Sequence, residues 1–174
     1  MSTTAFKASY YEASCEPGPV RSTPSKLYRD SSGRIRIDHF IEIGSETFCM
    51  FRKIYDPAQN AMFVLNDSKR TMLILRHPAG PPAAVIGLFP IGKPGTDPKQ
   101  EELGSREIEG LLCQGYRFGV AEWWIAEELG GIPILAIVDG EVRMRICDIV
   151  RTEPDPGLFA IPADYKIQEG RRHE

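Results

Sequence analysis

Apolar and polar residues alternate along most of the chain, in short runs that turn residues separate. The run RIRIDHFIEIG, residues 34–44, shows the pattern most clearly. A period of two is typical of a β-strand with one buried face, so we predict such a strand here. One face carries isoleucines and the other carries charges: Ile35, Ile37, Ile41 and Ile43 against Arg34, Arg36, Asp38 and Glu42.

Turn residues divide the remaining strands from one another. Asp30–Gly33, with the sequence DSSG, favours a tight turn, so Lys26–Arg29 is predicted to be the hairpin partner of the 34–44 strand. Three further strands are predicted in TFCMFRKIYDPAQNAMFVLNDSKRTMLIL, with turns at Asp56–Asn60 and Asn66–Lys69. The later strands are predicted over Leu103–Ile108, Leu111–Phe118, Val120–Ala126, Pro133–Asp139 and Val142–Arg151.

The turns of this second half carry the clearest local signals. Asp139-Gly140 between ILAIV and VRMRI is a strong hairpin signal, and Glu109-Gly110 is a second one. AEWWIAEELGG, residues 121–131, is interpreted as a strand followed by a helical turn, with a short helix as the alternative. In EPDPGLFAIPADYKIQEG three prolines favour an edge segment that lays Leu158, Phe159 and Ile161 on the core.

These elements predict a mainly β protein with little helix. About ten or eleven strands are too many for a flat open sheet, so we expect a strongly curved antiparallel sheet or a half-barrel. Residues 1–168 are predicted to form a single β domain that contains a Pro/Gly-rich internal loop at residues 77–102. Residues 169–174 are predicted to be a charged tail.

Charge and composition narrow the classes of partner. Lys and Arg total 21 against 24 Asp and Glu, a formal net charge of −3, so nucleic acid is not an expected partner. No apolar run approaches the ~20 residues of a membrane-spanning helix, so the chain is not expected to span a membrane. The first residues, MSTTAFKASYYEAS, lack a basic segment followed by an apolar one, and no secretory leader is predicted there.

Candidate catalytic groups are sparse in the sequence. No G-x-S-x-G elbow occurs, and none of the three histidines has an acidic or thiol partner at an informative spacing. His39 is interpreted as a satisfied core or rim residue, whereas His77 opens the Pro-rich loop and His173 lies in the tail. The sequence therefore predicts no catalytic residue, no cofactor and no metal site, and we expect a protein that is not an enzyme.

The four cysteines are isolated from one another along the chain. Free thiols are favoured, and two disulfides are the alternative in an oxidising compartment; the residues are Cys15, Cys49, Cys113 and Cys147. The apolar setting LLCQG is expected to raise the pKa of Cys113, which argues against a nucleophile.

The glycine-rich stretch LGSREIEGLLCQGYRF, residues 103–118, is interpreted as a hairpin and not as a phosphate-binding loop. No Lys-Ser/Thr pair follows its glycines. Gly110 is assigned to the turn, and Gly115 to a bulge or bend in the second strand. Trp123 and Trp124 follow in the next strand, where adjacent side chains point to opposite faces, so one is expected inside and one outside.

Five motifs in order carry a resemblance to a known group of proteins: YRDSSGRIRID, IYDPAQNAMFVLND, LGSREIEGLLCQGYRF, EWWIAEELGGIPIL and EPDPGLFAIPADYKI. Their succession resembles a group of uncharacterised, typically secreted bacterial proteins, and it covers most of the chain outside the Pro-rich loop. The layout is in turn similar to the lipoprotein-sorting carrier superfamily, the LolA-like and LolB-like proteins. The resemblance implies a half-barrel around an apolar cavity that helices close, and a periplasmic or secreted location; a cytoplasmic location is the alternative.

Apolar residues on both faces of strands such as TFCMF and AMFVL suggest that the curled sheet encloses a cavity for a hydrophobic ligand, a lipid or an acyl chain. The candidate lining residues are Ile37, Ile41, Phe63, Trp123 and Met144. The alternative is an envelope structural, sensor or protein-interaction module that has no small-molecule ligand, with another envelope protein as its partner.

Overall fold

The computed structural model describes residues 4–12, 24–43, 45–76 and 100–168. These residues form twelve β-strands and two short 3₁₀ helices, Glu127–Leu129 and Pro156–Phe159, and they contain no α-helix. The strands are β1 Phe6–Glu12, β2 Ser25–Arg29, β3 Ile35–Ile43, β4 Glu46–Asp56, β5 Ala61–Asn66, β6 Thr71–Arg76, β7 Glu101–Ile108, β8 Leu111–Phe118, β9 Ala121–Ala126, β10 Ile132–Val138, β11 Glu141–Val150 and β12 Lys166–Gln168.

All twelve strands belong to one sheet with the order β12-β6-β5-β4-β3-β2-β1-β11-β10-β9-β8-β7. The sheet consists of two antiparallel meanders, β2 to β6 and β7 to β11, that meet on either side of β1. The one parallel pair among the described strands is β12 with β6. The prediction of a mainly β, largely antiparallel fold is confirmed.

The predicted hairpin turns are found where their residues suggested. At the β10–β11 turn Asp139 and Gly140 have φ of 52° and 78°, the pair of positive values that a tight two-residue hairpin requires. Glu109 and Gly110 repeat this geometry between β7 and β8. The segment 121–131 forms the predicted strand and helical turn, which ends at Gly130 in the left-handed region.

Two apolar clusters lie on the sheet. We call the side of Phe6, Ala8 and Tyr10 the inner side and the side of Lys7 and Ser9 the outer side; the main core includes the inner-side residues of β1 to β5 and continues into β8 to β11. The second cluster lies on the outer side of β4 to β6 and consists of Ile54, Ala61, Phe63, Leu65, Met72 and Phe159.

The strap, residues 152–168, runs across the outer side and covers this second cluster. Phe159 is only 5% exposed there, and Leu158 and Ile161 pack against the same cluster. The prediction that these three side chains lie on the core is therefore confirmed.

The expected strong curl and half-barrel are not found, because the sheet is open and its ends, β7 and β12, do not pair with each other. Both ends are protected in other ways. β7 carries Arg106 and Glu107 together with a bulge next to Gly104, and β12 has only three residues. Charges, bulges and short edge strands limit edge-to-edge association without closure.

The strand count is also higher than expected, because β1 was not predicted. In the predicted loop, residue 100 precedes β7 and residues 101–102 begin it. The remainder of the loop, residues 77–99, and the predicted tail, residues 169–174, lie outside the described residues. Within the described ranges no helix has the length and apolar character needed to cross a membrane.

Candidate functional site

A groove with a volume of about 490 Å³ opens on the outer side of the sheet, between the centre of the sheet and the strap. Its floor comes from β1, β2 and β11, and its wall from the beginning of the strap. The lining residues are Lys7, Ala8, Ser9, Lys26, Tyr28, Asp148, Val150, Thr152, Glu153, Pro154, Asp155 and Leu158.

Strand alternation places two lysines on the floor of this groove. Lys7 lies opposite Tyr28, and Lys26 lies opposite Ser9, in the antiparallel pairing of β1 with β2. Lys7 and Lys26 are therefore diagonal neighbours on the outer side, a relation that separates Cα atoms by roughly 7–8 Å. Both side chains are exposed.

Neither lysine ammonium group has an ion-pair partner among the described residues. The Lys26 ammonium lies 6.0 Å from the centre of the Phe40 ring. Asp38 lies opposite Lys26 on β3, but both of its carboxylate oxygens accept hydrogen bonds from Arg36, at 2.6 and 2.7 Å. The two ammonium groups thus remain available to a ligand.

The three carboxylates at the groove already have polar neighbours within the protein. Glu153 accepts hydrogen bonds from the backbone N–H and the hydroxyl of Ser31, and Asp155 accepts one from the N–H of Gly157 at 2.8 Å. Asp148 lies in the left-handed region with φ of 53°, and its Oδ2 is 3.6 Å from the Cys147 thiol. Glu153 and Asp155 therefore help to shape the wall of the groove.

Three contacts hold this wall against the sheet. Arg36 donates a hydrogen bond to the carbonyl oxygen of Leu158, and the Arg34 guanidinium lies 4.7 Å from the centre of the Phe159 ring. Farther along the strap the Tyr165 hydroxyl donates to Asp67. The position of the wall consequently depends on residues outside the groove.

The floor also contains a phenol and an exposed apolar side chain. Burial raises the pKa of Tyr28 above its usual value; the Asp38 carboxylate adds to the rise and the Arg36 guanidinium opposes it. The phenol is therefore protonated at neutral pH and can donate a hydrogen bond. Val150, which is 48% exposed, provides apolar surface beside it. The groove thus offers cations, a hydroxyl donor and apolar surface together.

The five residues predicted to line a ligand cavity do not come together at one place. Ile37, Trp123 and Met144 belong to the main core, and Ile37 is completely buried. Phe63 lies in the second cluster on the outer side, and Ile41 is 36% exposed near the tip of the β3–β4 hairpin.

The candidate nucleophiles and bases lie away from the groove or have unfavourable pKa values. Cys49, Cys113 and Cys147 are free thiols, and burial raises the pKa of each of them. Cys15 lies outside the described residues. Within the described ranges no three His, Cys, Asp or Glu side chains are grouped as metal ligands.

His39 differs from the prediction of a satisfied histidine. Its Nε2 atom is buried and has no hydrogen-bond partner in the described part of the chain. Its ring lies 4.3 Å from that of Phe51, and burial, with a contribution from Lys53, lowers its pKa from 6.5 to about 4. The side chain is therefore neutral at pH 7.

The lysine groove was missed by sequence reasoning because β1 was missed. The alternation in FKASYYE places Lys7 and Ser9 on one face and Phe6, Ala8 and Tyr10 on the other, which is a readable strand signal. This alternation does not predict which strands β1 pairs with, and its pairing with both β2 and β11 could not be read from it.

The fold defines the class of this protein as a large, open, mainly antiparallel sheet that is shared with solved structures. The chain is similar to an uncharacterised conserved protein from Thermus thermophilus, with a TM-score of 0.57 and 10% identity over 97% of this chain and 91% of that one. It is also similar to part of PNGF-II, with a TM-score of 0.54 and 11% identity over 97% of this chain and 32% of that one. No protein-family model and no curated protein matches the chain. At these identities the likeness shows the fold alone.

Proposed function

We propose that this protein is a non-enzymatic binding module that holds an amphipathic ligand, an acyl chain with an anionic head group, in the groove beneath the strap. The observation that carries the proposal is the position of Lys7 and Lys26, two ammonium groups without ion-pair partners among the described residues, on the floor of a groove of about 490 Å³. This volume lies within the roughly 300–1,000 Å³ that is usual for small-ligand sites.

The two kinds of surface in the groove have different roles in this proposal. Each methylene buried against Val150, Leu158 and neighbouring apolar atoms contributes about 0.8 kcal/mol, so the acyl chain supplies most of the affinity. An exposed ion pair contributes roughly 0.2–1 kcal/mol, so the two lysines set the orientation of the ligand and the preference for an anion.

The packing of the main core favours a ligand site in the groove over a ligand cavity inside the core. Ile37 and Trp123 pack among other core side chains and are at most 9% exposed. Thiols with a raised pKa are poor nucleophiles, which favours binding over catalysis. The resemblance to the LolA-like and LolB-like carriers supports a hydrophobic ligand and a periplasmic or secreted location; fractionation of the source cells tests that location against the cytoplasm.

A second candidate function is a structural or interaction module of the cell envelope that has no small-molecule ligand. The exposed apolar side chains at the tip of the β3–β4 hairpin favour it.

Titration with 11-(dansylamino)undecanoic acid, a fluorescent acyl carboxylate, tests the proposal. We expect a saturable rise in emission that laurate reverses by competition and that dodecylamine, with the same chain and a cationic head, does not reverse. Equal competition by laurate and dodecylamine would refute the anion preference, and a signal that does not saturate would refute the site.

A further inference from the structure

The charged side chains that line the groove are separated by sign. The cations lie on β1 and β2, on the floor, whereas the anions lie on β11 and on the strap. The cations are Lys7 and Lys26, and the anions are Asp148, Glu153 and Asp155. None of these side chains forms an ion pair with another described residue. The groove therefore holds opposite charges that do not neutralise each other.

The floor presents hydrogen-bond donors in a square. Lys7 lies opposite Tyr28 and Ser9 lies opposite Lys26, so the ammonium groups occupy one diagonal and the hydroxyls the other. Directly opposite side chains have Cβ atoms about 4.5–5.5 Å apart, so all of these donors can reach one small anion. Within the described ranges neither hydroxyl has a hydrogen-bond partner. Donors from four corners suit the oxygens of a phosphate better than the two oxygens of a carboxylate.

The strap presents carboxylate oxygens at the wall of the same groove. Asp155 accepts a hydrogen bond from the N–H of Gly157 through Oδ1, and its Oδ2 accepts none from the described residues. Glu153 accepts from Ser31, which is neutral, so Glu153 keeps its negative charge. A carboxylate offers about four lone-pair positions, so both wall residues can accept further hydrogen bonds from a cation.

We propose that the head group of the ligand is a zwitterion, in which a phosphate bound by the floor is joined to a primary ammonium bound by Glu153 and Asp155. This inference rests on the groove being the ligand site, as proposed above. An anion alone would be repelled by the wall carboxylates, and a cation alone would be repelled by the two lysines. A head group that carries both charges complements both surfaces.

The wall also selects the kind of ammonium group. A primary ammonium has three N–H donors, whereas a quaternary ammonium has none and is recognised by the faces of aromatic rings. Among the described lining residues Tyr28 is the one aromatic side chain, and it lies on the floor, in β2. Ethanolamine therefore fits the wall better than choline does.

Displacement of 11-(dansylamino)undecanoic acid by single-chain phospholipids tests the proposal. The competitors share one myristoyl chain and one phosphate, differ in carrying ethanolamine, glycerol or choline, and are used below their critical micelle concentrations. We expect the ethanolamine lipid to displace the dye at about fivefold lower concentration than the glycerol lipid, which is the gain from one further exposed ion pair. Phosphoethanolamine without an acyl chain should not displace the dye over the same range.

A pair of double variants assigns the preference to the wall. The wall variant carries Glu153→Gln and Asp155→Asn; asparagine can still accept the hydrogen bond from the N–H of Gly157. In this variant the ethanolamine and glycerol lipids should displace the dye equally. The control carries Glu107→Gln and Glu127→Gln, which remove two exposed charges outside the groove, and it should keep the fivefold difference.

The other outcomes of this experiment are also decisive. Equal displacement by the ethanolamine and glycerol lipids, or the same preference in both variants, would overturn the zwitterion and leave the groove site standing. Stronger displacement by the choline lipid would overturn it in favour of recognition by the Tyr28 ring. Equally strong displacement by free phosphoethanolamine would overturn it in favour of a small solute. If the dye itself did not bind saturably, the groove would be refuted as the ligand site, and the head group with it. Thermal melts establish that both variants are folded.

Discussion

Replacing Gly115 with alanine should destabilise the second half of the sheet through one side chain, Trp124. Gly115 lies directly opposite Trp124 in the pairing of β8 with β9. A Cβ atom at position 115 would lie 2.7 Å from Cη2 and Cζ3 of the indole ring, well inside normal contact distance. The Arg106 guanidinium lies 3.7 Å from the centre of an indole ring of Trp124, so the ring has little freedom to move away.

The expected cost follows from two opposed effects. Forcing an additional carbon into a well-packed core costs about 1–3 kcal/mol. Because the backbone of Gly115 lies outside the left-handed region, alanine there also restricts the unfolded chain, which returns about 0.4–1 kcal/mol. We therefore expect Gly115→Ala to lower the free energy of unfolding by about 1–2 kcal/mol and Tm by roughly 2–8 °C.

Urea denaturation of a double-mutant cycle measures this effect. In the background Trp124→Leu the large ring is absent, so Gly115→Ala should be neutral or slightly stabilising there. An equal loss of stability in both backgrounds would show that the ring is not the cause and would refute the reasoning.

Three further predictions concern other parts of the chain. Burial lowers the pKa of His39 to about 4, so between pH 6.5 and 4 the unfolded chain binds a proton that the folded chain does not. The free energy of unfolding should therefore fall by up to about 3 kcal/mol as the pH decreases from 6.5 to 4. His39→Phe should flatten this pH dependence, which urea titrations measure. Phe159→Ala should lower the free energy of unfolding by about 3 kcal/mol and increase hydrogen exchange in β6, since the Phe159 side chain packs the strap against the second cluster, which includes Met72 of β6. Gly130→Ala should cost more in thermal melts than Gly131→Ala, because both glycines have left-handed φ but only at 130 would Cβ meet the Arg29 guanidinium.

Local patterns in the sequence were sufficient for most of the strands. Leu111–Phe118 was predicted with the bounds that the structure has, and the turn at Asp139-Gly140 follows directly from residue types that tolerate positive φ. Short-range alternation and turn chemistry determine such hairpins, and both can be read from neighbouring residues.

The shape of the sheet and its details required information from distant residues. The strap covers the outer side of β4 to β6, and an isolated strand pattern does not specify which surface a later segment covers. Gly115 was assigned to a bulge or a bend in β8; the bulge of this strand pair lies at Leu103 on β7, and Gly115 makes room for Trp124. Trp123 and Trp124 point to opposite sides of the sheet, as predicted. Both side chains are nevertheless buried, at 9% and 7% exposure, because cross-strand neighbours also cover the ring that was expected to lie outside.

The binding site depended on one missed element. β1 is a short strand near the beginning of the sequence, yet it joins the two meanders and carries Lys7. Its alternation was visible in the sequence, but its pairing with β11 links residues that are far apart along the chain, and only that pairing brings Val150 beside Lys7.

Binding of 11-(dansylamino)undecanoic acid to a pair of double variants tests the central claim most directly. The groove variant carries Lys7→Gln and Lys26→Gln; the control carries Lys69→Gln and Lys166→Gln, which remove the same charge from exposed positions outside the groove. If the two groove lysines hold the anionic head group, the groove variant should raise Kd about tenfold, because two charge contacts supply up to about 2 kcal/mol. The control variant should change Kd less than about twofold. Equal Kd values for the two variants would contradict the proposed site.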